Sequence, residues 1–170
     1  VGPVFDLEKL KWMNGVYVRR LSVDELVSRL ATHTPQLSQV DAELLSKVVP
    51  LVQERIKTLS EFWEVAGFFF ENVELSNEQF EEVVVQKGRT VEETKQVLQK
   101  VWEVLELVDE KSWRADVLEE KLGQLMEKLG WSRRDFCMTI RGAVSGRKAT
   151  PPLFEMLEVL GKEKVLSRLD

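Results

Sequence analysis

Cys137-Met-Thr-Ile-Arg141-Gly-Ala-Val-Ser-Gly146-Arg-Lys-Ala-Thr-Pro151-Pro-Leu-Phe-Glu-Met-Leu-Glu-Val-Leu160-Gly161 reads as a helix, a basic loop and a second helix. Phe136, Ile140 and Val144 repeat at helical spacing from Asp135 onward, and Gly146 supplies the stop. Arg147 and Lys148 fall in the loop. The second helix opens at Pro151 or Pro152, where no amide donor is needed, and carries Leu153, Met156, Leu157 and Leu160 until Gly161. Two apolar helical faces in tandem, with no alternating pattern nearby, set the class as all-α. Arg141 alone is not explained by that pattern. One residue past Ile140, it points off the core face, either as a solvated helix arginine or as a fork for a base edge or a phosphate.

The segment Arg141-Gly-Ala-x-Ser-Gly146, followed by Pro151-Pro-Leu-Phe-Glu-x-Leu-x-Val-Leu-Gly-Lys-Glu-x-x-Leu-x-Arg-Leu169, resembles the C-terminal end of bacterial-type glutamyl-tRNA synthetases, which are class I aminoacyl-tRNA synthetases. Two further blocks match in order. One is Phe5-Asp-Leu-Glu-Lys-Leu-Lys-Trp-Met-Asn14 with Tyr17; the other is Val49-Pro-Leu-Val-Gln-Glu-Arg-Ile-Lys-Thr-Leu59, running into Phe68-Phe69-Phe70. The resemblance covers nearly the whole chain. It implies an all-helical region that clasps the anticodon loop of the tRNA for glutamate, in an enzyme that joins glutamate to that tRNA with ATP and magnesium.

Composition sets bounds of its own. The 170 residues include 44% hydrophobic and 31% charged side chains, as in an ordinary globular protein, and are enough for one or two small domains with a core. A single cysteine, Cys137, excludes an internal disulfide and reads as a small apolar residue. No run approaches the roughly 20 apolar residues that span a bilayer, and no signal-peptide pattern opens the chain. A cytoplasmic monomer without a membrane partner is the expectation. The net charge of −5 argues against indiscriminate nucleic-acid binding. It is unevenly spread: residues 1–60 carry 8 Lys+Arg against 7 Asp+Glu, residues 61–130 carry 8 against 17, and residues 131–170 carry 8 against 5. An acidic middle favours a local, oriented contact over a broad electrostatic footprint.

In chain order, Asp6 caps a helix bearing Leu7, Leu10, Met13 and Tyr17, with Trp12 and Tyr17 as core anchors, and the abrupt start looks like a cut inside a longer protein. Ser22 with Glu25 forms a capping box for a short helix. The one histidine, His33, sits in a polar linker and gives little support to a metal site or a catalytic dyad. Pro50 marks a break or a new first turn after Asp41–Val49, and Ser60 opens a short helix. Ser76 caps another, although Val83-Val84-Val85 also fits a short strand. Thr90 with Glu93 opens a long helix, Ser112 a third, and Ser132 with Asp135 the helix that carries Arg141. A seam near Asp109–Ser112 divides the chain into junction helices 1–30, a helical anticodon-binding subdomain 31–111 and a second one 112–170.

Catalytic signatures are missing. Paired carboxylates such as Glu81-Glu82 fall on solvated helix faces, and no glycine-rich phosphate loop is present. The family's two ATP-site motifs, His-Ile-Gly-His and Lys-Met-Ser-Lys-Ser, are absent, so the resemblance implies a recognition part that is inactive alone, without catalytic residues, cofactor or metal of its own. It carries a first-base contact to Arg141 and apolar contacts to Pro151, Leu153 and Phe154. Arg147 and Lys148 suit phosphates. Strict readers of the third anticodon base hold an arginine at about the position of Arg55, for which pairing with Glu54 or Glu61 is the plain alternative. The rival reading of the chain is an all-α scaffold or protein-docking module.

Overall fold

The computed structural model describes residues 6–170; the Val1–Val4 start and Phe5 of the first matching block lie outside them. Among the described residues there are ten α-helices and no strand, and no helix is long and apolar enough to cross a membrane. Contacts divide the chain into two compact units, Val1–Phe70 and Glu71–Asp170.

In the first unit, α1 (Leu7–Arg20) starts where the Asp6 carboxylate accepts the Glu8 and Lys9 amides, and α2 (Val23–His33) starts at the Ser22/Glu25 capping box. Helices α3 (Ala42–Val52) and α4 (Glu61–Ala66) follow. Leu26 and Leu30 of α2 and Leu45, Val48 and Val52 of α3 are fully or almost fully buried, so these two helices form the core. Gln53 ties α1 to the end of α3, donating to the Val18 and Leu21 carbonyls at 2.9 and 2.8 Å. Phe68 and Phe69 are buried and stacked, their ring centres 4.3 Å apart.

Two expectations fail in this unit. Pro50 does not break the helix before it: α3 runs through Pro50 for two more residues and then tightens into a 3₁₀ turn, Gln53–Arg55. A proline two residues from a helix end removes only one bond there. Trp12 and Tyr17 are not core anchors, each being 62% exposed. The direction in which α1 buries is set by Gly15 and Val18, since the glycine lets the helix lie close to Lys57, and the aromatic positions fall off that line.

The second unit contains α5 (Asn77–Val83), α6 (Val91–Glu106), α7 (Ala115–Leu129), α8 (Arg133–Ser145), α9 (Leu153–Leu160) and α10 (Lys162–Leu169). Capping boxes at Ser76/Gln79 and Thr90/Glu93 open α5 and α6, and Val83 closes α5 without any strand. Helix α6 lies against α7 and α10, α7 against α9, and α8 against α5 and α10. Val101, Leu105, Leu118, Leu122, Ile140, Met156 and Val165 form the core. Ser132 caps α8 by accepting the Asp135 amide, but Asp135, one methylene shorter than glutamate, returns no bond.

Ser112 does not start α7. It closes a 3₁₀ turn, Glu110–Ser112, and α7 begins at Ala115, whose amide donates to the Glu158 carboxylate of α9 at 2.6 Å. Trp113 donates its indole N–H to the Leu157 carbonyl at 2.9 Å. Lys162 of α10 donates to the Glu106 and Val108 carbonyls, capping the end of α6. These bonds stitch α6, α7, α9 and α10 together across Asp109–Ser112. The contact division falls at Phe70/Glu71.

Candidate nucleic-acid interface

Each member of the Arg-Gly-Ala-x-Ser-Gly segment has a distinct structural task. Gly142 is where α8 meets the end of α5: a Cβ there would stand 2.6 Å from the Val83 carbonyl oxygen. Thr139, one turn earlier, donates its hydroxyl to the Val84 carbonyl at 3.1 Å. Ser145 bonds back to the Arg141 carbonyl at 2.7 Å and accepts the Arg147 amide, which folds the loop against the helix end. Gly146 takes φ +67°, the left-handed cap geometry.

That fixed loop delivers Thr150 to Arg141. The guanidinium Nη1 donates to the Thr150 carbonyl at 3.1 Å, and the Thr150 hydroxyl donates to the Pro151 carbonyl at 3.0 Å. Arg141 is half-buried, so its aliphatic stem packs while its head is held beside the turn into α9. Pro152 occupies the position before the first helical residue, Leu153.

A groove of about 710 Å³ opens at this point. It brings together Arg141, Leu153 and Phe154, three of the residues singled out in the sequence. Phe154 is half-buried, Leu153 is buried within the wall, and Pro151 is buried without lining the groove; its exposed neighbour Pro152 lines it instead. Arg133, Arg134, Cys137 and Met138 of α8 complete one wall, and Glu119 of α7 joins them. The sequence reading missed these. The available signal was spacing: 134, 137 or 138, and 141 share one face of a helix.

The groove's electrostatics are graded. Arg133 is paired with Glu119, and the carboxylate raises the guanidinium above its ordinary value. Burial pushes the Cys137 thiol up, against the pull of Arg133 and Arg141, so it remains a neutral, apolar part of the wall. Lys148 is exposed in the loop and forms a 3.1 Å pair with Glu82, while Arg147 is half-buried. Neither lines the groove. Arg55 belongs to the first unit, exposed on the 3₁₀ turn after α3. Its two supposed partners are engaged elsewhere: Glu54 faces Arg19 at 3.8 Å, and Glu61 accepts the Lys57 amide at 2.7 Å.

Arranged this way, the second unit offers a cationic fork, an aromatic edge and apolar ground, the groups that unstacked bases require. Residues 23–170 match the family described as the anticodon binding domain. Among similar proteins, glutamate-tRNA ligase 1 of Syntrophomonas wolfei is 38% identical over 170 residues, an alignment covering 98% of this chain and 33% of that protein. The glutamate-tRNA ligase of Acidothermus cellulolyticus is 36% identical over 178 residues, covering 99% and 34%. The chain thus spans about a third of the length of the curated relatives it matches. In fold it is similar to the crystal structure of a glutamate tRNA ligase from Elizabethkingia meningosepticum, with a TM-score of 0.83 at 24% identity, over 99% of this chain and 32% of that one. A match running through both units and through every helix from α2 to α10 leaves one assignment: the chain belongs to the anticodon binding domain family.

Proposed function

We propose that the chain binds the anticodon loop of a glutamate tRNA, as the recognition part of a glutamate-tRNA ligase. The observation that carries this reading is the groove in which Arg141, held on the Thr150 carbonyl, stands with Phe154 and Pro152. A base splayed out of a loop stacks on Phe154 and presents its edge to the guanidinium, which bonds it as a planar fork. Leu153 contributes from within the wall and Pro151 by shaping the turn. Lys148 and Arg147 approach the sugar-phosphate chain from the loop, where contacts position the RNA without reading it. Arg55 is the candidate reader of the third base. Relatives named glutamate-tRNA ligase over the whole aligned length support the tRNA identity.

On this reading ATP and magnesium belong to the part of a ligase that this chain does not contain. The 170 residues alone bind RNA as a monomer and do not attach glutamate, and the working place is the cytoplasm. The test is a titration of the chain with the glutamate tRNA anticodon stem-loop and with an unrelated stem-loop of equal size. A clear preference for the first is expected. Equal binding, or none, defeats the reading and favours a protein-docking module.

A further inference from the structure

We infer that the groove accepts two successive nucleotides: Arg141 faces the base of one, and Arg134, two helical turns away on α8, binds the phosphate that joins it to the next. This rests on the function proposed above. Three arginines line the groove, and their partners separate them. Arg141 donates to the Thr150 carbonyl, and Arg133 is neutralised by Glu119. Arg134 is exposed and makes no hydrogen bond or ion pair among the described residues. The groove's two carboxylates are Glu119 and Glu155; Arg134 is ion-paired with neither, so a polyanion that meets it has no existing ion pair to break.

Distance assigns the two arginines to different nucleotides. Seven residues separate them, about 10 Å along the helix axis at about 1.5 Å per residue. That exceeds the reach of a single base edge. Between them Cys137 and Met138 present a neutral thiol and a thioether to the groove, an apolar step with no charge to hold a phosphate. The groove is shallow and open along its length, and its volume of about 710 Å³ is more than one planar base fills. Two cations two turns apart with an apolar step between them, in a groove that Phe154 also lines, match a short length of single strand: backbone at Arg134, base at Arg141. Glu119 sharpens the arrangement, since its pairing cancels the attraction of Arg133 for phosphate and leaves Arg134 as the anchoring point.

The test compares the native chain with Arg134→Gln and Arg133→Gln, each checked for an unchanged thermal midpoint. Binding to the glutamate stem-loop is measured across a salt series, and then with stem-loops carrying a neutral methylphosphonate at each loop phosphate in turn. Arg134→Gln should weaken binding about five- to tenfold, equally for the cognate loop and for loops changed at one base, and lower the salt slope by about one unit. At one loop position the methylphosphonate should cost the native chain as much and the variant nothing further. Arg133→Gln should change the slope less. An unchanged slope for Arg134→Gln, or a larger effect from Arg133→Gln, overturns the second nucleotide while preference for the glutamate loop leaves the function standing. Loss of that preference in the native chain removes the function and this inference with it.

Discussion

Arg141 and Thr150 are joined across the basic loop by a 3.1 Å bond from the guanidinium to the carbonyl, so the Arg141 side chain and the turn into α9 move as one piece. Replacing Arg141 with Ala should cost about 1–3 kcal/mol for the cognate stem-loop and relax preference at one base. Arg141→Lys keeps the charge but loses the planar fork, so it should restore affinity without restoring preference. Comparing loops altered at each anticodon base checks both. Equal weakening for every loop would assign Arg141 to a phosphate.

Gly142 lies against the Val83 carbonyl where α8 meets the end of α5. A methyl group at Gly142 meets the Val83 carbonyl oxygen at 2.6 Å and the Val84 Cα at 3.1 Å, and both neighbours are backbone. Overpacking costs typically about 1–3 kcal/mol, against about 1 kcal/mol gained when alanine replaces a helical glycine. Gly142→Ala should therefore destabilise the chain. Gly123 of α7 is the control, with nothing within 4 Å of its would-be Cβ, so Gly123→Ala should be neutral or stabilising by up to about 1 kcal/mol. The urea midpoint of Gly142→Ala should fall, while that of Gly123→Ala should hold or rise.

The elements most legible in the sequence are those whose signals are local. Ser22 with Glu25, Ser76 with Gln79 and Thr90 with Glu93 lie three residues apart and form the capping boxes that their identities require. The start of α7 was not legible, because its amide is satisfied by Glu158, 43 residues onward, which no window around Ser112 contains. Trp12 and Tyr17 misled for a related reason: periodicity finds an apolar stripe but not whether anything covers it. The groove divides the same way. Arg141, Leu153 and Phe154 came from a contiguous motif and Arg134 shares a helix face with Arg141 at a spacing legible in the sequence, whereas Glu119 joins them only when α7 and α8 pack.

The capping boxes also predict acid sensitivity. Backbone and hydroxyl bonds from Thr90 hold Glu93 below the ordinary carboxylate value, and Ser22 does the same for Glu25. A folded-state value below the unfolded one means stability that is present above the unfolded value of 4.5 and lost as pH falls through the folded one. Urea unfolding followed from about pH 7 to about pH 3 should show that loss, and Glu93→Gln should remove part of it while keeping the cap geometry. An identical acid profile in the variant would exclude Glu93 as a contributor.

Lys148 pairs with Glu82 on the surface, an exposed ion pair of the kind that contributes little to folding. Its release to a phosphate is therefore cheap. Neutralising Arg147 and Lys148 together should flatten the salt dependence of stem-loop binding by about one unit of slope per lost contact, without altering base preference, and Lys148→Gln alone should leave the thermal midpoint nearly unchanged. An unchanged slope would remove the loop from the interface.

Arg55 bears on the breadth of recognition. It is exposed, and the acids nearest in sequence are taken by Arg19 and by the Lys57 amide, so the plain surface pairing with Glu54 or Glu61 does not form. Ile56, buried beside it, and the 3₁₀ turn that ends at Arg55 fix the backbone from which the side chain extends. A guanidinium donates to the carbonyl and ring nitrogen of a cytosine edge, whereas guanine presents a donor at the corresponding position. The mismatch is worth on the order of 1–3 kcal/mol. If Arg55 reads the third anticodon base, stem-loops ending in C should bind the native chain more tightly than those ending in G, and Arg55→Gln should erase the difference by improving the G loop relative to the C loop. Binding measured for both loops with both proteins decides it: equal affinity of the native chain for C and G removes Arg55 from recognition.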